Sequence, residues 1–253
     1  MSLRDLVVGG TQSVLHSDAV IRRRFADVDP RVLEIYSRVK PYTMTSPERV
    51  IALCEAVRYV DRSRVPGAIV ECGVWRGGSS MAAALMMAAL GRTDREMWLF
   101  DTFEGMSTPT DADRRASDAA GAAQLLKTSR RSEKIWCYSP LDEVKTNLSA
   151  TDYPMERVTF VRGKVEETVP EQAPTSIAIL RLDTDWYEST RHELQHLFPR
   201  LSVGGVLIVD DYGAWEGARK AVDEFIANSG VRLLLNRIDE TGRIGVKLAE
   251  ATT

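Results

Sequence analysis

From residue 68 onward, short apolar runs alternate with segments of helical periodicity, and this alternation limits the chain to few architectures. The runs cover residues 68–70, 97–100, 158–161, 177–182 and 205–209. Helical patterns follow several of them, at 189–201 and at 215–228. In the second, Ala218, Ala221, Val222, Phe225 and Ile226 form one apolar stripe. Strands that alternate with helices predict a parallel sheet covered on both faces, an α/β fold. The end of the chain differs. Residues 231–235 and 244–248 flank Asp239-Glu240-Thr241-Gly242, a turn signal, so a terminal hairpin should add an antiparallel strand.

Residues 1–62 read as an N-terminal helical cap on a core of 63–253. Ser46 suits a helix N-cap, Pro47 the first helical position, and Glu48 the positive helix end. Val50, Leu53, Cys54, Val57 and Val60 then recur at helical spacing until Pro66-Gly67. Arg22, Arg23 and Arg24 read as a solvated helix face. The cap offers a self-association surface, so a homo-oligomer is expected. Residues 107–134 are polar and Ala-rich with weak periodicity. They follow the second strand, where ligands of such sheets bind, and read as a lid or a surface helical excursion.

A chain of 253 residues fits one α/β domain, which buries about three quarters of its unfolded surface without staples. Its 44% hydrophobic and 27% charged residues exclude collagen-like, disordered and disulfide-scaffold classes. A net charge of −3 argues against non-specific nucleic-acid binding. The longest strongly apolar run, 81–90, is too short to cross a bilayer. No signal-peptide core follows Met1. Cys54, Cys72 and Cys137 form no C-x-x-C pair, which suits free thiols in a cytoplasmic protein.

Three groups of residues carry chemistry. Glu71-Cys72-Gly73-Val74-Trp75-Arg76-Gly77-Gly78-Ser79 places an acid before a glycine-rich turn that opens a helix. Such a turn lets backbone approach a ligand, and the helix start offers free N–H groups to an anion. Asp101 follows Glu71 by one strand–helix–strand unit, at the tip of the neighbouring strand, where a carboxylate can accept ribose hydroxyls. Asp183 and Asp185 close one apolar run, and Asp210 and Asp211 close the next. Four carboxylates meeting at adjacent strand ends need a cation or protons, and an oxygen-only donor set suits Mg²⁺ better than Zn²⁺.

His192-Glu193-Leu194-Gln195-His196 matches the H-E-x-x-H zinc motif, but the one other histidine is His16. Leu194, Leu197, Phe198 and Leu201 make this the apolar stripe of a helix packing on the sheet, with both histidines off the core face. Cys72 has no identified histidine partner and reads as a small packed thiol.

This order of motifs resembles the class I S-adenosylmethionine-dependent methyltransferases. More narrowly, it resembles the macrocin O-methyltransferase family of antibiotic sugar methyltransferases. The matching segments include 42–46, 70–78, 100–106, 140–145 and 160–165. The most specific pair is Asp183-Thr184-Asp185-Trp186-Tyr187-Glu188-Ser189-Thr190 with Asp210-Asp211-Tyr212-Gly213. The resemblance implies a Rossmann-like methyltransferase sheet and a Mg²⁺-dependent transfer of methyl to a sugar hydroxyl, the sugar being nucleotide-linked or already on an aglycone. It implies that Glu71, Gly73 and Ser79 line the methionine end of the cofactor, that Asp101 holds the ribose, and that Gly163 and Lys164 border the adenine. Met44, Thr45, Phe103 and Asp183 complete that set. Asp183, Asp210 and Asp211 would bind Mg²⁺, with Asp185 as base, although Asp183 and Asp185 are exchangeable in these roles. Tyr42, Met44, Trp186, Tyr212 and Trp215 would shape the acceptor pocket. The family usually has glycine where this chain has Thr184. The rival readings are a nicotinamide-dependent oxidoreductase, disfavoured by the absent G-x-G-x-x-G, and a non-catalytic ligand-binding protein on the same fold.

Overall fold

The computed structural model describes residues 18–249. The helices are α1 (Asp18–Arg24), α2 (Pro30–Val39), α3 (Pro47–Arg62), α4 (Gly78–Ala89), α5 (Ala122–Thr128), α6 (Leu141–Ser149), α7 (Val165–Thr168), α8 (Tyr187–Leu197) and α9 (Glu216–Asn228). The strands are β1 (Ala68–Cys72), β2 (Met97–Asp101), β3 (Val158–Arg162), β4 (Ile177–Leu182), β5 (Leu201–Val209), β6 (Asn236–Arg237) and β7 (Arg243–Val246).

The seven strands lie in the order β3-β2-β1-β4-β5-β7-β6. The first five are mutually parallel, β7 runs antiparallel to β5, and β6 antiparallel to β7. The expected sheet and hairpin are therefore present, but the hairpin is shorter and displaced. Residues 231–235 pair only through one bridge, Leu233 with Lys247. Val231, Leu233 and Leu235 instead drop their side chains onto the face that carries α8 and α9. Packing, not a backbone ladder, uses their alternation.

Strand alternation divides the core. Ile69, Leu99, Ile179, Val206 and Ile208 point to one face, against Val32, Val50, Val57 and Met86 from α2, α3 and α4. Val70, Phe100, Leu180, Leu182, Leu207 and Val209 point to the other, against Leu194, Leu197 and Val222 from α8 and α9. Each such side chain contributes roughly 1.5–3 kcal/mol by leaving water. Helix α4 is buried over residues 78–87, which explains its apolar run without a membrane. Among the described residues no helix is long and apolar enough to cross one.

Helix α3 begins as its sequence requires: the Ser46 hydroxyl accepts from Arg49 N at 3.2 Å, and Pro47 follows it. The arginine run closes α1 with Arg22, Arg23 and Arg24 exposed, and Arg24 pairs with Glu48.

A third, smaller core involves the 107–134 segment. Met106, Ala122, Leu125, Leu126 and Trp136 pack with Trp186, Trp215 and Ala218. The segment is pinned by backbone pairing of Arg115 with Trp215 and by Ala116 N donating to Ala214 O at 2.8 Å. It covers the end of the sheet where β4 and β5 deliver their acids.

Candidate active site

Register alone brings the site together. Cys72 lies beside Phe100 on one side and Leu182 on the other, and Leu182 lies beside Val209. The next residues continue the hydrogen bonding: Gly73 N to Phe100 O at 2.8 Å, Asp183 N to Cys72 O at 2.8 Å, and Asp210 N to Leu182 O at 2.9 Å. The strand order reverses between β1 and β4, the place where open α/β sheets bind ligands. A cavity of about 340 Å³ opens there, within the usual size range of a small-molecule site.

The glycine-rich turn forms one wall. Gly73 has φ +82°, and a Cβ there would lie 2.0 Å from Asp183 O, so the turn needs glycine twice over. Asp101 braces the turn rather than standing free. Its Oδ2 accepts from Val74 N at 2.6 Å and Trp75 N at 3.0 Å, and its Oδ1 from Phe103 N at 2.7 Å. Burial pushes this carboxyl up, and those three N–H donors pull it back.

Beneath the acids lies a buried ion network that the sequence reading did not anticipate. Glu71, Arg181, Asp183 and Asp210 share one face of the sheet by strand alternation, and Glu71 sits directly beside Arg181 in register. Arg181 donates to Glu71 at 2.7 Å, Asp183 at 2.6 Å and Asp210 at 2.5 Å, with its side chain 3% exposed. Arg49 from α3 pairs with the other oxygen of Asp210 and, at 3.0 Å, with Asp239 of the hairpin turn. Glu71 also accepts from the Ser80 hydroxyl. A lone arginine inside the apolar run 179–182 was the signal available for Arg181.

Above this network, Asp183, Asp185 and Asp211 each offer an oxygen within 4.8 Å of the others. Asp210, expected as a metal ligand, has Oδ1 on Arg181 and Oδ2 on Arg49, and Asp185 stands in the group instead. Asp185 has φ +66°, a left-handed turn geometry that aspartate tolerates. Burial first, then the charges of Asp183 and Asp210, pushes it up to about 7. Asp183 and Asp211 are pushed well above the carboxylate range, by burial and then by neighbouring acids, which Arg181 opposes at Asp183. Asp211 Oδ2 is buried with no hydrogen-bond partner. An oxygen-only cluster holding an unpartnered buried oxygen fits a hard divalent cation such as Mg²⁺.

Of the other expected residues, Tyr42, Met44, Thr45, Ser79 and Trp215 line the cavity, as do Gly163 and Lys164. Phe103, Trp186 and Tyr212 do not. Phe103 is buried in the core with φ +53°. Trp186 is 2% exposed, donates from its indole to Ser107 O at 3.1 Å, and meets Trp215 edge to face at 4.9 Å. It backs Trp215, which lines the cavity. The Tyr212 hydroxyl donates to Asp223 at 2.7 Å, and its ring faces Arg243. Lining residues that the sequence did not single out include Arg49, Met106, Lys134, Ile135, Cys137 and Thr241.

The H-E-x-x-H segment forms no metal-like group among the described residues. His192 Nε2 lies 2.9 Å from Val169 O, and Glu193 is turned into the core. His16 lies outside the described residues. Cys72 is buried, and desolvation raises its thiol well above the usual range, as suits packing.

Known proteins resemble this chain in sequence and fold. The family model for macrocin-O-methyltransferase (TylF) matches residues 11–245. A Streptomyces olivaceus protein is 35% identical over 222 residues, spanning 85% of this chain and 79% of its own. It is described as 8-demethyl-8-(2,3-dimethoxy-alpha-L-rhamnosyl)-tetracenomycin-C 4'-O-methyltransferase. The demethyldecarbamoylnovobiocin O-methyltransferase of Streptomyces niveus is 31% identical over 94% of this chain and 90% of its own. The solved structure of the O-methyltransferase NovP superposes with a TM-score of 0.71 at 33% identity, covering 82% of this chain and 83% of that one. With a family model spanning most of its length and relatives this similar, the chain belongs to the macrocin O-methyltransferase family.

Proposed function

We propose that this protein transfers a methyl group from S-adenosylmethionine to a sugar hydroxyl of a natural product, with Mg²⁺ bound at the acid cluster. The observation that carries the reading is the grouping of Asp183, Asp185 and Asp211 beside the glycine-rich turn, with Asp211 Oδ2 unpartnered. Family membership and relatives that methylate glycosylated antibiotics support the substrate class.

The cofactor would lie over the turn, its methionine end near Glu71, Gly73 and Ser79, its ribose near Asp101 and its adenine near Gly163 and Lys164. Met44 and Thr45 would close over it. Asp183 and Asp211 would hold Mg²⁺, with Asp210 locked beneath them by its two arginines. The cation would supply a lowered pKa for the acceptor hydroxyl. When bound, the cofactor would supply the methyl group and keep the S–CH₃ electron pair as S-adenosylhomocysteine, while Asp185 would take the proton of the attacking hydroxyl. Burial raises the Asp185 carboxyl in the metal-free chain, and a cation on Asp183 and Asp211 would favour its ionised form, the form that accepts a proton. Holding both reactants in line supplies much of the remaining acceleration. Trp215, Met106 and Ile135 give the acceptor side apolar walls.

Titration calorimetry with S-adenosylmethionine, with and without Mg²⁺, on the wild type and Asp101→Ala tests the cofactor. Micromolar binding that Asp101→Ala weakens at least tenfold is the expected result, and no binding under any condition refutes the reading. Turnover of a rhamnosylated acceptor, abolished by a chelator and restored by Mg²⁺, tests the reaction.

A further inference from the structure

Glu193 is 0% exposed on α8, and no lysine or arginine forms an ion pair with it among the described residues. A buried carboxyl without a cation is costly. Its partners are small and specific. Thr184 Oγ1 lies 3.0 Å from Oε1 and 3.2 Å from Oε2, and the Cys72 thiol adjoins the same carboxyl. Thr184 sits between Asp183 and Asp185, and Cys72 directly precedes Gly73. Glu193 thus bridges the two turns that meet at the cavity.

The acid turn needs a brace. Its residues carry like charges that repel, Asp185 is held at φ +66°, and Trp186 N folds back onto Thr184 O at 2.7 Å. We propose that Glu193 is a positioning residue: through the Thr184 hydroxyl it fixes the 183–185 turn so that the carboxylates of Asp183 and Asp185 stay grouped with Asp211. The link to catalysis rests on the acid cluster being the reaction centre. The geometric claim stands on the Thr184 contact.

The test uses Mn²⁺ as the probe, titrated by electron paramagnetic resonance on wild type, Thr184→Val, Glu193→Gln and Glu193→Ala, together with hydrogen exchange of the peptide covering 183–186. Thr184→Val keeps the side-chain shape and removes only the hydroxyl, so it carries the test if Glu193→Ala does not fold. Expected are Mn²⁺ binding weakened at least fivefold and faster exchange of 183–186 in Thr184→Val. Glu193→Gln, whose amide oxygen still accepts the hydroxyl, stays within twofold of wild type. Thr184→Val/Glu193→Gln should bind no more weakly than Thr184→Val. A merely stabilising Glu193 would instead lower the melting temperature of Thr184→Val and leave Mn²⁺ affinity of the folded protein within twofold, which overturns the proposal. If the wild type binds no Mn²⁺, the metal reading fails separately. Exchange at 183–186 then decides the brace: faster in Thr184→Val supports it, and unchanged overturns it.

Discussion

Asp113 Oδ1 accepts a hydrogen bond from Tyr187 N at 2.7 Å, so a residue of the 107–134 segment caps the helix that starts two residues after Asp185. Asp113 is 0% exposed, and its Oδ2 accepts from Thr110 N at 2.6 Å and Thr110 Oγ1 at 2.9 Å. Gly217 makes this approach possible, since a Cβ there would lie 2.0 Å from Asp113 Oδ1. The segment is therefore fastened to the start of α8, two residues beyond Asp185 of the cavity lining.

Asp113→Ala should destabilise the protein by about 1–3 kcal/mol, because it leaves the part-buried Tyr187 N–H without its partner. Urea unfolding measures that loss, and hydrogen exchange should show it first in residues 107–121. Exchange spread evenly over the molecule would contradict the capping role.

Arg181→Met should cost about 3–5 kcal/mol, since it strands the buried Glu71, takes the same cation from Asp183 and leaves Asp210 with Arg49 alone. Adding Glu71→Gln to that variant should recover part of the loss, as one stranded charge is removed. Equal stability of the wild type and Arg181→Met would show that the network is dispensable.

The strand tips, the start of α3 and the two acid pairs were legible because each rests on local pattern: apolar runs ending in acids, or Ser46-Pro47 before a helical stripe. What escaped was non-local. Asp113 lies in a polar segment of weak periodicity, and its partner is 74 residues away. Arg181 was absorbed into the apolar run that carries it, although its charge pairs with an acid 110 residues earlier. Glu193 was weighed only as part of a zinc motif, while its actual partner, Thr184, lies in the acid turn at the carboxyl end of the central strand β4. Trp186 and Tyr212 follow Asp185 and Asp211 in sequence, but side-chain direction takes one behind Trp215 and the other to Asp223. The hairpin was read correctly in kind and too long in extent, because alternation reports burial and not pairing.

Stability without a divalent cation should fall as pH rises toward 8. Asp185 titrates at about 7 in the folded chain against an ordinary value of 3.8. Below pH 4 it is protonated in both states. Between 4 and 7 the folded state keeps a proton that the unfolded state has released, so stability declines by up to about 1.4 kcal/mol per pH unit for that group. Mg²⁺ competes with the same proton. Its addition should therefore raise the melting temperature more at pH 8 than at pH 5.5, by about 2–4 °C for each kcal/mol of binding. A larger gain at the lower pH would contradict this order.

Gly73→Ala should lose about 3–5 kcal/mol and cofactor binding with it. The added methyl meets Asp183 O at 2.0 Å in a backbone conformation at φ +82°, and neither chain can yield without moving the other. Circular dichroism melts and calorimetry with S-adenosylhomocysteine check the two losses together.

The clasp between Arg49 and Asp239, tightened by the Ser46 hydroxyl on Asp239 at 2.5 Å, joins residues 190 positions apart. A ribosome adding about 5–20 residues per second needs roughly 10–40 s to travel that distance. Only over the last 28 residues of that stretch, from Asp211 to Asp239, does the emerging chain hold Asp183, Asp185, Asp210 and Asp211 while lacking the turn that steadies Arg49 over Asp210. The growing polypeptide thus carries a concentrated patch of acids before the carboxylate that seats their second cation has been made, and the acid-lined cavity is among the last parts of the molecule to come of age.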